Sequence, residues 1–239
     1  MSESDVKVVL VPGAWADGSS WSKVINGLQS NGVHTVTVPI PLTTLDDDVA
    51  ALDRTLERTD GPVVLVGHAY AGAVIGAARN PRIKALVYIA ALAPDEGETV
   101  ADVFYRNEPH PAAPKLAPDS HGLIWLPEEA FAAAFAQNAS AQELAVLAAV
   151  QRPISPACIS VPVGRPLWKD VPSWYLLAEQ DHMIVAETQR FMAARMKARV
   201  SVHMVDHTPL VTAPGLVVDL ILQAVREIRE VREVREVRD

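Results

Sequence analysis

The stretch that decides the fold is Val63-Val-Leu-Val-Gly67-His68-Ala69-Tyr70-Ala71-Gly72. Its first four residues are apolar, and three of them are β-branched valines, which predicts a buried strand. A helical pattern begins at Tyr70, so the chain has to turn sharply within a few small residues. Gly67 and Gly72 allow the backbone to approach its neighbours closely there. The sequence therefore predicts a tight strand-to-helix turn centred on Ala69.

The same alternation of short apolar runs and helical patterns extends along the chain on both sides of this turn. It predicts an α/β fold in which a mostly parallel sheet is covered by helices on both faces. The predicted strands are Val6–Val11, His34–Val38, Val63–Val66, Ala85–Ala91, Trp174–Ala178 and Val200–Val205. The predicted helices are Trp21–Gln29, Asp46–Arg58, Tyr70–Arg79, Thr188–Met196 and Gly215–Arg226.

Residues 94–172 interrupt this alternation and contain most of the 18 prolines of the chain. Two helical patterns, Glu128–Gln137 and Ala141–Val150, lie within them. We interpret the segment as a cap inserted into a core formed by residues 1–93 and 173–226. A cap at this point covers the carboxyl ends of the strands, where open α/β sheets bind ligands. Four aromatic residues are expected either to line an apolar pocket there or to pack the cap on the core: Trp125, Phe131, Phe135 and Trp168.

Residues 227–239 form a charged segment that contains the repeat Ile228-Arg-Glu-Val-Arg-Glu-Val-Arg-Glu-Val-Arg-Asp239. Apolar residues recur at every third position, which matches neither the 3.5-residue nor the 3.6-residue period of a packed helix. Arg and Glu side chains four positions apart support a helical extension in solvent. We expect a solvated tail.

Composition and charge limit the binding partners and the cellular location that we expect. The 239 residues are 49% hydrophobic, enough for one large core. A formal net charge of -8 repels phosphate backbones, so nucleic acid is not expected as a partner. The single cysteine, Cys158, cannot form an intrachain disulfide, and the N-terminus lacks a signal-peptide pattern. The longest apolar run, Ala85–Ala93, is too short to span a membrane, and we expect a cytoplasmic protein.

Four stretches together carry a resemblance to a known family: Val9-Leu-Val-Pro-Gly-Ala-Trp-Ala-Asp-Gly-Ser-Ser-Trp21, Gly67-His-Ala-Tyr-Ala-Gly72, Ala90-Ala-Leu-Ala-Pro-Asp-Glu-Gly97 and Pro172-Ser-Trp-Tyr-Leu-Leu-Ala-Glu-Gln-Asp181. The chain resembles small α/β-hydrolases, namely bacterial esterase-like members and the plant methylesterase and hydroxynitrile lyase branch. The resemblance covers about Val6 to Ala224. It implies a Gly-x-Ser-x-Gly nucleophile elbow in which Ala69 occupies the serine position and Ala71 the last glycine position.

The resemblance also implies the other members of a catalytic triad, in the chain order nucleophile, acid, histidine. Asp181 follows the strand Trp174–Ala178, where the family places its acid, and His207 follows the last strand. Alternatives stay open: Asp181 as a helix cap, with Asp95 as the acid in its place. The cap histidines His110 and His121 are expected either in solvated loops or in contact with substrate.

An oxyanion hole is implied at the backbone N–H groups of Tyr70, directly after the nucleophile position, and of Ala14, in the loop after the first strand. The family usually has His-Gly where this chain has Pro12-Gly13, but the donor is a backbone group, so the proline need not abolish it. Trp15 follows Ala14, and His68 directly precedes Ala69. We expect both to contact substrate, and for Trp15 core packing is the alternative.

The expected function is a hydrolase of carboxylic esters or lactones with a modest-sized apolar substrate. Because a methyl group cannot attack a carbonyl, the chain with Ala69 is expected to be nearly inactive. A deliberate serine-to-alanine replacement or a natural loss explains Ala69, and the intact acid, histidine and elbow favour the first. The alternatives are a ligand-binding protein on the same fold, a hydroxynitrile-lyase-like reaction, or water activated by His207 alone.

No metal or cofactor is expected. The sequence lacks a His-Glu-x-x-His pattern, and the spacing from Gly67 to Gly72 lacks the lysine of a phosphate-binding loop. The run Asp46-Asp47-Asp48 is interpreted as a solvated helix start. An apolar cap surface is compatible with a homodimer.

Overall fold

A computed structural model describes residues 6–236 of the chain. Within them, six parallel strands form one sheet in the order β2-β1-β3-β4-β5-β6. The strands are β1 (Lys7–Val11), β2 (Thr35–Thr37), β3 (Val63–His68), β4 (Ile83–Ile89), β5 (Ser173–Ala178) and β6 (Arg199–His203). The predicted α/β class with a parallel sheet is confirmed.

Helices separate the strands, and several of them begin or end within two or three residues of the predicted bounds. The α-helices are α1 (Ser22–Ser30), α2 (Leu45–Glu57), α3 (Ala71–Ala77), α4 (Val100–Phe104), α5 (Glu128–Ala130), α6 (Ala141–Ala149), α7 (Ala186–Arg195), α8 (Pro209–Thr212) and α9 (Pro214–Glu236). Single turns of 3₁₀-helix occur at Gly18–Trp21, Pro156–Cys158 and Leu167–Lys169, and a π-helix at Phe131–Phe135.

The central strands β3 and β5 are buried at every position, which is why their sequences are continuous apolar runs. α1 and α9 pack against each other, with α9 also on the sheet, and α2 packs on α3. Each parallel strand ends at the same edge of the sheet, so the loops after β1, β3, β5 and β6 meet there. This edge carries the residues singled out in the sequence.

α2 begins after Thr44, whose hydroxyl accepts a hydrogen bond from the backbone N–H of Asp47 at 3.0 Å. Asp46 and Asp47 are exposed, whereas Asp48 is completely buried. The interpretation of all three carboxylates as solvated is therefore wrong for Asp48. It turns inward because it accepts hydrogen bonds from buried donors, which offset the loss of water.

Residues 94–172, which we propose as a cap, contain α4, α5, the π-helix and α6. The predicted helix Glu128–Gln137 changes after Ala130 into the π-helix, which ends where the Ala136 N–H donates to the Phe131 carbonyl at 2.8 Å. Buried backbone contacts tie the cap to the core: the Trp15 N–H donates to the Arg152 carbonyl at 3.2 Å. The cap is thereby fastened to the loop after β1.

The last helix is longer than predicted. α9 runs past Arg226 to Glu236, and Ile228 is 7% exposed within the hydrophobic core. Glu227 forms an ion pair with Arg199 of β6. The first residues of the predicted tail thus belong to a packed helix, and residues 237–239 lie outside the described residues. No helix within residues 6–236 combines the length and apolar character needed to cross a membrane.

Candidate active site

The turn between β3 and α3 is a sharp elbow with Ala69 at its apex. Ala69 has a φ of 50°, a left-handed conformation that L-residues rarely adopt. The flanking residues have to be glycines, because backbone oxygens leave no room for a Cβ at either position. A Cβ on Gly72 would lie 2.2 Å from the Leu92 carbonyl oxygen, and one on Gly67 would lie 2.8 Å from the Ala71 carbonyl oxygen. The elbow therefore depends on both glycines and on a strained residue at its apex.

Asp181 and His207 lie together beside the elbow. The Asp181 Oδ2 atom is 2.8 Å from the His207 Nδ1 atom, and the two side chains are almost completely buried. Since Nδ1 is held by the carboxylate, Nε2 is the nitrogen that His207 offers to the cavity it lines. This is the arrangement in which a carboxylate orients an imidazole as a base.

Both oxygens of the Asp181 carboxylate accept two hydrogen bonds. Its Oδ1 accepts the backbone N–H groups of Met183 at 2.7 Å and Ile184 at 2.8 Å, and its Oδ2 also accepts Nε2 of Gln189 at 2.9 Å. These bonds fix the carboxylate at the turn before α7. Asp181 therefore caps this turn and orients His207 at the same time. The alternative acid, Asp95, is paired with Lys169 instead.

His68 lies behind the site rather than in it. Its ring is completely buried, and its Nε2 donates to the backbone carbonyl of His207 at 2.7 Å. Burial, followed by the proximity of His207, lowers the pKa of His68 to about 3. His68 is therefore neutral and holds the backbone of His207. It does not line the cavity, where substrate contact was expected.

The two expected oxyanion donors flank Ala69. Ala14 and Tyr70 both line the cavity with it, and neither backbone N–H donates to an acceptor within residues 6–236. Gly13 allows this approach, since a Cβ there would lie 3.1 Å from the Ala69 Cβ and 3.0 Å from the His68 carbonyl oxygen. Two backbone donors are thus available beside the apex of the elbow.

A small cavity of about 60 Å³ lies over Ala69 and His207, and its walls are almost entirely apolar. The proposed cap supplies most of the wall, through Val100, Ala101, Phe104, Tyr105, Leu116, Ile124, Ile154 and Ile159. Trp15, Met183 and Ile184 complete it. Of the aromatic and histidine side chains expected to bind substrate, the structure places Trp15 in this wall.

The other predicted aromatic residues lie elsewhere. Trp125 is 44% exposed, and its Nε1 donates to the Asp119 carboxylate at 3.0 Å on the surface of the cap. Trp168 packs near Gly76 of α3. Phe131 and Phe135 are buried, and the Phe135 ring centroid lies 5.3 Å from that of His207. Phe131, Phe135 and Trp168 thus pack in the hydrophobic core, which was the alternative interpretation, whereas Trp125 neither lines the cavity nor packs in the core.

A second, larger pocket, a groove of about 490 Å³, adjoins the cavity. Both are lined by Phe104, Tyr105, Leu116 and Met183, so these side chains form the partition between them. His110 lies in the groove and stacks on His182, with ring centroids 3.7 Å apart. The groove is the larger of the two spaces.

Comparison with known proteins agrees with this geometry. Residues 8–220 match the family described as the Alpha/beta hydrolase family. The chain belongs to this family. A curated member from Aspergillus novofumigatus (strain IBT 16806), alpha/beta hydrolase nvfD, is 22% identical over 243 residues, which cover 92% of this chain and 96% of the relative.

Solved structures of this hydrolase fold superpose closely at low identity. Polyneuridine aldehyde esterase is 20% identical with a TM-score of 0.75, covering 92% of this chain and 99% of its own. A pyrethroid hydrolase from Sphingobium faniae JZ-2 is 19% identical with a TM-score of 0.78, covering 92% and 98%. A methylesterase from Arabidopsis is 17% identical with a TM-score of 0.75, covering 92% and 99%. The structural neighbours thus include plant methylesterase-like proteins, as the sequence resemblance implied.

Proposed function

We propose that the site is built for hydrolysis of carboxylic esters or lactones by the serine-hydrolase route, and that Ala69 removes its nucleophile. The observation that carries the proposal is the 2.8 Å pair between Asp181 Oδ2 and His207 Nδ1, placed beside a strained elbow apex and two free backbone donors. Structural neighbours that are named esterases or hydrolases support the same class of reaction.

With a serine at position 69, the reaction would follow from these positions. The serine hydroxyl attacks the ester carbonyl carbon while Nε2 of His207 takes its proton. The backbone N–H groups of Tyr70 and Ala14 donate to the oxygen that becomes negative. His207 then protonates the leaving alcohol, and a water molecule activated by the same imidazole releases the acid. Asp181 keeps the imidazole oriented throughout.

Substrate size and polarity follow from the cavity. Its wall offers apolar side chains and few polar groups besides the reaction centre, so an uncharged ester with apolar substituents fits it. The cavity of about 60 Å³ is small, so an ester substituent that exceeds this volume has to extend into the adjoining groove. We propose an apolar ester or lactone as the small-molecule partner. No cofactor or metal takes part in the proposed reaction.

Ala69 then makes the present chain a nearly inactive binder of its substrate. Loss of a triad member leaves at most about 10³–10⁴-fold catalysis over water, from the oxyanion donors and binding alone. Both a deliberate replacement and a natural loss fit this proposal. The acid and base remain paired and buried, which favours a recent or deliberate change. For the protein as a whole, we propose a cytoplasmic location.

A specific observation supports a second candidate. Ala69 and His207 line the same cavity, and Ala69 has a methyl group where a serine would offer a hydroxyl, so the imidazole is free to act on a bound molecule directly. A proton transfer of the hydroxynitrile-lyase kind, or activation of water by His207, would use this base and the same oxyanion donors. A non-catalytic ligand-binding role uses the cavity alone.

The experiment compares the present chain with its Ala69→Ser variant on activated aryl esters and lactones. We expect the serine variant to be at least about 100-fold faster, and His207→Ala in that background to abolish the gain. Equal rates for the two chains, with ligand still bound, would overturn the hydrolase proposal in favour of a binding protein. Release of an aldehyde and cyanide from a cyanohydrin by the Ala69 chain would identify the lyase alternative.

A further inference from the structure

Behind the elbow lies a buried polar cluster that the proposed reaction does not use. The Tyr70 hydroxyl donates to Oδ2 of Asp48 at 2.7 Å, and the Leu42 backbone N–H donates to Oδ1 of the same carboxylate at 2.7 Å. The thiol of Cys158 lies 3.8 Å from Oδ2. Asp48 therefore joins the elbow, the chain before α2 and the cap.

This carboxylate is costly to bury. Asp48 has no exposed surface, and none of the ion pairs described among the side chains of residues 6–231 includes it. Burial raises its pKa, and the hydrogen bond from Tyr70 only partly opposes that rise. Its place in the first turn of α2 offsets some of the cost through the helix dipole. A hydroxyl–carboxylate contact of this kind fixes the position of the tyrosine side chain firmly.

Tyr70 is also the residue whose backbone N–H is the proposed oxyanion donor. Its side chain and its N–H share one Cα, so a fixed hydroxyl limits rotation of the peptide that joins it to Ala69. That restraint matters here because Ala69 has a φ of 50°. A strained backbone conformation persists only where its surroundings hold it, and it relaxes when a restraint is removed.

We propose that Asp48 is a positioning residue, which holds the Tyr70 hydroxyl and thereby aims the Tyr70 N–H at the reacting oxygen. The expected effect on kcat rests on the proposed ester hydrolysis. The claim that Asp48 holds the Tyr70 N–H in place is independent of that function. A donor aimed at the oxyanion acts only in the transition state. Loosening it should lower kcat and leave KM nearly unchanged.

The kinetic arm uses Ala69→Ser as the parent, with 4-nitrophenyl butyrate as the substrate. We expect Tyr70→Phe and Asp48→Ala each to lower kcat roughly tenfold with KM within about twofold, less than the 10²–10³-fold effect of deleting an oxyanion donor. The double variant should lose no more than about twofold beyond either single one, since both remove the same contact. Asp48→Asn should retain most of the activity, because its amide can donate to the Tyr70 oxygen while its carbonyl accepts from Leu42.

The geometric arm needs no turnover and uses the present chain labelled with 15N-tyrosine. The sequence has four tyrosines, and Tyr70→Phe identifies the Tyr70 amide signal by its disappearance. We expect Asp48→Ala to shift or broaden that signal and Asp48→Asn to leave it close to its original position. Should Asp48→Ala not fold, judged by near-ultraviolet circular dichroism, the kinetic comparison of Asp48→Asn with Tyr70→Phe takes its place, because Tyr70→Phe leaves no Tyr70 signal to follow.

The two arms distinguish a failure of the proposed function from a failure of the positioning proposal. An Ala69→Ser parent without activity on any ester refutes the proposed function alone, and the amide signal still tests the tether. An unmoved Tyr70 signal in folded Asp48→Ala overturns the positioning proposal whatever the activity. So does a rise in KM at unchanged kcat in Tyr70→Phe, which would show that the hydroxyl contributes to substrate binding instead.

Discussion

His68 donates a hydrogen bond from Nε2 to the backbone carbonyl oxygen of His207, 2.7 Å away. The residue before the elbow apex therefore holds the backbone of the proposed base, and the two imidazole centroids are 4.9 Å apart. Because Asp181 holds the other side of His207, the base is fixed through both its ring and its main chain. His68 thus joins the elbow to the base, and it does not line the cavity.

The stability of the fold should fall as the solution is acidified, in part through His68. Its pKa is lowered to about 3 in the folded protein from an ordinary value of 6.5, so between these values the unfolded chain binds one more proton. The contribution is complete above pH 6.5 and is lost towards pH 3, by about 1.4 kcal/mol per pH unit. Urea unfolding of the protein and of His68→Gln from pH 7.5 to 5 measures it. The variant should be less stable at pH 7.5 and should depend less on pH, and parallel curves would contradict the assignment.

Filling the cavity over Ala69 should weaken substrate binding. Ala101→Phe adds a ring to the wall of a cavity of about 60 Å³, so we expect KM in the Ala69→Ser background to rise at least about tenfold. Val146→Phe places the same ring on α6, where Val146 is 50% exposed, and should leave KM within about twofold. Equal effects of the two variants would show that the substrate binds elsewhere.

Trp125 provides a complementary test, because its sequence position suggested a binding role and its structural position does not. The ring is 44% exposed on the cap, hydrogen-bonded to Asp119. Trp125→Ala should therefore change kcat and KM by less than about twofold. A large rise in KM would mean that the cap closes over bound substrate in an arrangement different from this one.

The glycines of the chain differ in what a methyl group would meet. Gly72→Ala places a Cβ 2.2 Å from the Leu92 carbonyl oxygen, which is backbone and cannot swing aside, so we expect a loss of at least about 3 kcal/mol in the free energy of unfolding. Gly215→Ala meets nothing within 4 Å near the start of α9 and should be neutral or stabilising by up to about 1 kcal/mol. Thermal unfolding compares the pair. A tolerated Gly72→Ala would refute the close approach of α3 to the segment after β4.

The sequence predicted local features, such as the bounds of the strands, best. The predicted strand bounds differ from those observed by no more than two residues, because a buried parallel strand is a continuous apolar run between turn residues. The approach of Asp181 to His207 was expected from chain order and the family resemblance. The parallel sheet brings the loops after β5 and β6 to one edge, where the two side chains do meet.

What the sequence could not predict depends on contacts between distant segments. Asp48 follows two solvated carboxylates, and only the fold places the Tyr70 hydroxyl against it. The wall residues Ile124, Ile154 and Ile159 carry no signal beyond being apolar in an irregular segment. Phe131, Phe135 and Trp168 were the more conspicuous candidates in the cap, yet they are buried in the hydrophobic core, and Phe104 and Tyr105 line the cavity instead.

The last helix gives a test at the end of the chain, where the repeat pattern suggested solvent on all sides. Ile228 is 7% exposed in the core, and Val231 is 45% exposed one turn later. Removing buried methyl groups costs transfer free energy and leaves a cavity, so Ile228→Ala should lower the free energy of unfolding by about 2–4 kcal/mol. Val231→Ala should change it by less than about 0.5 kcal/mol. Urea unfolding at pH 7.5 measures both. Similar small losses would place residues 227 onward in a solvated tail, whereas the expected difference places the start of the repeat in the core and its later part outside.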